Sequence, residues 1–61
     1  MSVYTITIPN KGLSEEDIYK HIESASSGKI GIPMKCGITY SNNATHVRYF
    51  MLTPDMVAKL Q

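Results

Sequence analysis

The chain contains one cysteine, no tryptophan and a single phenylalanine among its 61 residues. Because Cys36 is the only cysteine, an intramolecular disulfide is excluded. A structural zinc site needs about four ligands, and the spacing of the two histidines from Cys36 does not suggest one. A domain this short hides only about 60% of the surface of its unfolded chain, so its core is marginal. We therefore expect a homo-oligomer, in the first place a dimer, as the extra source of stability. The alternative is a compact monomer, since many domains of about 55–65 residues fold alone.

The chain also lacks a strong excess of charge, since six Lys/Arg face five Asp/Glu and the net charge is +1. This balance provides no strong field for nucleic acid or for an anionic membrane, so neither is an expected partner. No apolar run is long enough for a membrane span, and no basic start indicates a secretory signal. Together with the unpaired thiol, these features predict a cytoplasmic protein.

Two helix starts are recognisable from their capping residues. Ser14, followed by three acidic residues, predicts a helix over residues 15–26. Thr53, followed by Pro54, predicts a short C-terminal helix. The first helix carries a narrow apolar stripe that would pack on a sheet, formed by Ile18, Ile22 and Ala25.

Three segments have the composition and alternation of strands, residues 3–8, 35–40 and 45–52. Residues 29–34 contain two glycines and a proline, which predicts an irregular, flexible connector before the second strand. Alternation gathers apolar side chains on one face of the sheet, strand by strand Tyr4, Ile6 and Ile8; Cys36, Ile38 and Tyr40; Val47, Tyr49 and Met51.

The resulting order, β-α-β-β-α, predicts a single small α+β domain over residues 1–61. We expect a three-stranded mixed sheet with one main helix and a short C-terminal helix. If the first two strands are neighbours, they are parallel and joined by a right-handed crossover. The last two strands form a hairpin through the asparagine-containing turn at 41–44.

The opposite face of the predicted sheet carries polar, basic and aromatic residues. Thr39, His46, Arg48 and Phe50 would lie on an open face if both helices cover the apolar side. Such a face can bind a partner chain, pair with itself in a dimer or hold an anion through Arg48 and His46. The plain alternative is a solvated sheet face with one exposed phenylalanine.

A second candidate site lies in the connector, where Lys29 supplies a charge and Gly31 a side-chain-free backbone. Glycine-rich turns can direct backbone N–H groups at an anion. This segment follows a helix instead of opening one, and it lacks the spacing of a phosphate-binding loop. The plain alternative is a helix cap followed by a flexible connector.

No nucleophile, base and orienting residue can be assembled from the sequence, so we predict no catalytic site, no metal and no cofactor. Our first hypothesis is a small non-enzymatic binding protein, accessory or inhibitory and phage- or mobile-element-like, that occupies the surface of a partner macromolecule. The alternative is an oligomer that sequesters an anionic or nucleotide-like small molecule at a subunit interface. It would use Lys29, Gly31, His46 and Arg48, and one chain is too small to enclose a pocket of about 300 Å³.

Overall fold

The structure is a computed structural model and describes residues 2–60. It confirms a small α+β fold with the order β-α-β-β-α. The elements are β1 (Tyr4–Ile8), α1 (Glu15–Ala25), β2 (Ile32–Tyr40), β3 (Thr45–Leu52) and α2 (Pro54–Lys59).

The three strands form one sheet in the order β1-β3-β2, and both neighbouring pairs are antiparallel. The mixed sheet expected from a direct β1–β2 crossover is therefore wrong. The hairpin returns β3 into the space between β1 and β2, and no parallel pair forms. A central position suits β3 because alternate residues along it are buried, namely Thr45, Val47, Tyr49 and Met51.

Helix α1 packs against one face of this sheet. Ser14 caps it as predicted, since its Oγ accepts a hydrogen bond from the Asp17 backbone N–H at 3.2 Å. Ile18 and Ile22 are buried with the apolar residues of β1 and β3, whereas Ala25, expected in the same stripe, is exposed. The core therefore lies between α1 and the side chains that alternate along β3.

A β-bulge at Cys36 changes the alternation of β2. Lys35 pairs with Tyr49 and Gly37 pairs with Arg48, so Cys36 has no opposite residue. The extra residue reverses which side chains face α1 on the N-terminal side of the bulge. Cys36, predicted on the apolar face, is exposed, and Lys35 takes that face with its Nζ 3.3 Å from a carboxylate oxygen of Glu15.

The connector is shorter and better ordered than predicted, because β2 begins at Ile32. Residues 32–34 pair with residues 50–52 of β3. Pro33 is tolerated there since β2 is an edge strand. Gly31 has φ +109°, and a Cβ at this position would lie 2.6 Å from the carbonyl oxygen of Leu52. Close backbone packing, not flexibility, explains this glycine.

Of the three tyrosines predicted on the core face, only Tyr49 is buried. Tyr4 is 38% exposed and stacks on Tyr49 with a centroid distance of 5.4 Å. Tyr40 is 58% exposed opposite Thr45, where the hairpin ends. Alternation assigns a face correctly at these positions, but it does not show whether α1 covers them.

The molecule is elongated, with extents of 40 × 18 × 18 Å. Strand β1 begins opposite Tyr49, so residues 50–52 of β3 pair only with residues 32–34 of β2. We call these two segments the two-stranded end. Helix α2 follows directly from it and contains no buried residue.

Candidate binding face

The sheet face opposite α1 carries the predicted site residues of the strands. Cross-strand pairs set this face, with Thr5 and Gly37 beside Arg48, and with Thr7 and Thr39 on either side of His46. Helix α1 lies on the other face with the buried core, and α2 has no buried residue. We call this surface the open face. The structure places Thr39, His46, Arg48 and Phe50 on it, while their role in binding stays a prediction.

His46 is held between two hydroxyl groups on the open face. Its Nδ1 lies 3.1 Å from Thr7 Oγ1, and its Nε2 lies 3.3 Å from Ser41 Oγ. A neutral imidazole has one donor and one acceptor nitrogen, and a hydroxyl can take either role, so both contacts can be hydrogen bonds. The two hydroxyl groups, one on each side, fix the orientation of the imidazole ring. Sequence reasoning did not find Ser41, because only the turn geometry brings it to His46.

The row Ser41–His46–Thr7 has the connectivity of a nucleophile, a base and an orienting group. A catalytic triad places a carboxylate at the third position, where its charge stabilises the imidazolium that forms. Thr7 carries no charge and cannot supply that stabilisation. Within residues 2–60, no cavity adjoins the row. The geometry therefore describes a positioned histidine on a surface.

Arg48 lies across Gly37, which has no side chain to displace it. A Cβ at Gly37 would come within 2.9 Å of Arg48 Nη2 and 3.2 Å of Nε. The register of the hairpin sets this pair, since residues 37–40 pair without interruption with residues 45–48. Gly37 thus lets the guanidinium lie close to the strands, a role that sequence reasoning missed because it depends on the path of the Arg48 side chain.

The charge of Arg48 is not neutralised within the part of the chain that the structure describes. The two salt bridges there join Lys20 to Glu16 and Lys35 to Glu15. All five acidic residues of the chain belong to the helices, four to α1 and Asp55 to α2. The guanidinium therefore has no carboxylate partner among these residues, and the open face is complementary to a carboxylate or a phosphate.

The open face divides into two halves along the strands. Towards the hairpin lie hydrogen-bonding and basic groups, and we call this the polar half: Thr5, Thr7, Thr39, His46 and Arg48. At the two-stranded end lie only apolar side chains, and we call this the apolar half: Ile32, Met34, Phe50 and Leu52. Phe50 is half-buried, and Ile32 is 61% exposed.

The connector residues lie away from the polar half. Lys29 Nζ donates to the Ala25 carbonyl oxygen at 3.3 Å and lies 5.0 Å from the ring centroid of Tyr4. Tyr4 pairs with Tyr49 on the sheet face that α1 packs against, which we call the covered face. Gly31 packs on the backbone of Leu52. Leu52 is four residues beyond Arg48 in β3, which at about 3.3 Å per residue is a distance of roughly 13 Å. One chain does not bring Lys29 and Gly31 together with the basic residues of the open face.

Within the described residues, no three His, Cys, Asp or Glu side chains gather where they could hold a metal ion. None of the helices in that part of the chain is long and apolar enough to cross a membrane. Comparison with protein families, with curated proteins and with solved structures finds no match.

Proposed function

We propose that this chain is a small non-enzymatic binding protein, accessory or inhibitory, that occupies the surface of a protein partner with its open face. One observation supports this function above the others. The open face has no helix packed over it, and it presents an arginine without an ion-pair partner among the described residues. An uncovered face with a free guanidinium at its centre is what a surface for an acidic partner requires.

Arg48 is the anchor of the proposed contact. A planar guanidinium can donate two parallel hydrogen bonds to one carboxylate, and such charge-assisted bonds are stronger than neutral ones. Gly37 permits the low position of this group on the sheet. The partner surface that fits Arg48 is therefore acidic, with a carboxylate aimed at the centre of the open face.

The remaining groups of the polar half add hydrogen bonds around that anchor. Thr39 and His46 pair across β2 and β3, next to Arg48. Hydroxyl groups donate or accept as the partner requires. Arginine is enriched in the energetically important parts of interfaces, which suits Arg48 as the anchor.

The cellular setting belongs to the same proposal. Cys36 is an exposed free thiol, which suits a reducing compartment such as the cytoplasm. Accessory or inhibitory proteins of this size class are typical of phages and mobile elements, and we place this chain among proteins of that kind.

The test compares two charge reversals on opposite sides of the molecule. Tagged wild-type protein, Arg48→Glu and Lys20→Glu are used to capture proteins from the cells that make the chain, and bound proteins are quantified by mass spectrometry. Lys20 is the matched control because its side chain is 70% exposed on α1, away from the open face. We expect one partner to be retained by Lys20→Glu and reduced at least tenfold by Arg48→Glu.

A further variant separates the position of the guanidinium from its charge. Gly37→Ala keeps the charge of Arg48 and displaces the group, so it should weaken capture of the same partner less than Arg48→Glu does. If every captured protein binds wild-type protein and Arg48→Glu equally, the open face is not the binding surface and the proposed function is wrong.

A further inference from the structure

Exposed aliphatic side chains gather around the two-stranded end. Ile30 is 77% exposed, Ile32 61% and Leu60 80%. Residues 30–34 and 49–54 contain no charged side chain. Monomeric soluble proteins rarely expose contiguous apolar patches larger than a few hundred Å². The two-stranded end is therefore the place where a partner would bury the most apolar surface.

The size of the molecule shows how much surface is left over. Its radius of gyration is 12.5 Å, whereas a compact domain of this length has about 10.5 Å. Its accessible surface is 4360 Å², whereas a compact monomer of this mass has about 3950 Å². The chain keeps surface in water that a compact monomer would bury, and the two-stranded end contributes only Met51 to the buried core.

We propose that the apolar half is covered by the apolar half of a second copy, in a homodimer with two-fold symmetry. A two-fold axis brings the same patch of both chains together, and this patch consists only of apolar side chains that can interdigitate. The two sheets would stack face to face at about 10 Å, the usual separation of packed sheets.

The basic residues determine which two-fold arrangement is possible. If the two open faces overlapped along their whole length, Arg48 and His46 would meet their own counterparts across the interface. An axis at the apolar half and perpendicular to the strands sends the two polar halves to opposite ends of the dimer. Both polar halves then stay accessible, so the dimer and the proposed partner binding use different parts of the open face.

The area required by a stable interface extends this surface beyond the sheet. Stable interfaces bury roughly 800 Å² per chain, close to a fifth of the 4360 Å² that one chain exposes. The interface must therefore continue from the apolar half onto Ile30 and α2. Val57 of α2 and Leu60, which caps its C-terminus, are exposed. The dimer would give α2 a packing partner that its own chain does not provide.

Sedimentation velocity over a wide range of protein concentration tests the dimer. We expect wild-type protein to sediment as a dimer, and Ile32→Asp and Phe50→Asp to raise the dissociation constant at least about a hundredfold, because two carboxylates enter one apolar interface. Tyr40→Asp is the matched control, since Tyr40 is 58% exposed at the other end of β2 on the covered face. It should remain a dimer.

Ile32→Asp keeps the test decisive if Phe50→Asp fails to fold, because Ile32 is largely exposed within one chain. Far-UV circular dichroism confirms the fold of each variant. A wild-type chain that stays monomeric at every concentration overturns the dimer and leaves the apolar half to another partner. A dimer that Ile32→Asp does not weaken overturns it as well. The result is independent of partner capture, since Arg48→Glu should leave the dimer intact.

Discussion

Two parts of strand β3 differ in how much of their apolar surface is buried. At Val47 the strand has β1 on one side, β2 on the other and α1 above it, and this side chain is 0% exposed. At Leu52 the same strand has only β2 beside it, and the leucine is half-buried. Both residues are aliphatic, but Val47 lies on the face that α1 covers and Leu52 lies on the open face. The comparison teaches that packing partners, not local sequence, decide burial here.

This difference in burial separates the residues that stabilise the fold from those available for association with another surface. Side chains between α1 and the sheet contribute to folding in every state of the protein. The open-face side chains of the two-stranded end contribute fully only when another surface covers them. Substitutions in the two parts should therefore change different measured quantities, and three comparisons test this.

The largest expected effect is that of Ile22→Ala, set against Ile32→Ala. Ile22 is 0% exposed in the core cluster, and removing a buried isoleucine side chain costs about 2–5 kcal/mol. Ile32 is 61% exposed, so its loss should cost less than about 1 kcal/mol within one chain. Urea unfolding, followed at concentrations where the chain is monomeric, measures both. Equal losses would contradict the division of the molecule into these two parts.

The second effect concerns the connection to the two-stranded end. Gly31→Ala should lower the free energy of unfolding by about 2–3 kcal/mol, because its positive φ strains an alanine and its Cβ meets Leu52. Gly28→Ala is the matched control. Gly28 has φ +86° with nothing within 4 Å, so only the backbone strain of about 1 kcal/mol applies.

Thermal and urea unfolding of both glycine variants give the comparison. If Gly31→Ala is no worse than Gly28→Ala, the close packing of residue 31 on β3 is absent in solution. Residues 32–34 would then not be stably paired with residues 50–52.

The smallest expected effect is that of Glu15→Gln, which removes an ion pair between α1 and the sheet. Lys35 Nζ lies 3.3 Å from Glu15 Oε1, and the Glu15 side chain is 85% exposed. A pair so open to water contributes about 0–1 kcal/mol. Glu15→Gln should therefore change the free energy of unfolding by less than about 1 kcal/mol, and the change should shrink as salt is added. A loss comparable with that of Ile22→Ala would show that charge, not apolar packing, holds α1 on the sheet.

Local signals in the sequence predicted the elements well. Both helix starts lie where their capping residues place them, and Ser14 and Thr53 accept the expected hydrogen bonds. The third strand matches its predicted bounds, residues 45–52, and its alternation assigns Arg48 and Phe50 to the open face. Caps and alternation act over a few residues, so one sequence is enough to recognise them.

The candidate site was predictable only in part. Arg48, His46, Thr39 and Phe50 could be named from alternation along two strands. The role of Gly37 could not, because the path of the Arg48 side chain across the neighbouring strand is a packing contact that alternation does not show.

By itself, the sequence determined the number, order and approximate bounds of the helices and strands, since each depends on neighbours within a few positions. Only the tertiary structure decided the strand order, the bulge at Cys36 and the burial of the tyrosines. These depend on contacts between residues far apart in the chain, such as Tyr4 with Tyr49 and Thr45 with Asn10. Local propensity carries no information about such contacts, because the partner of each strand is selected by packing.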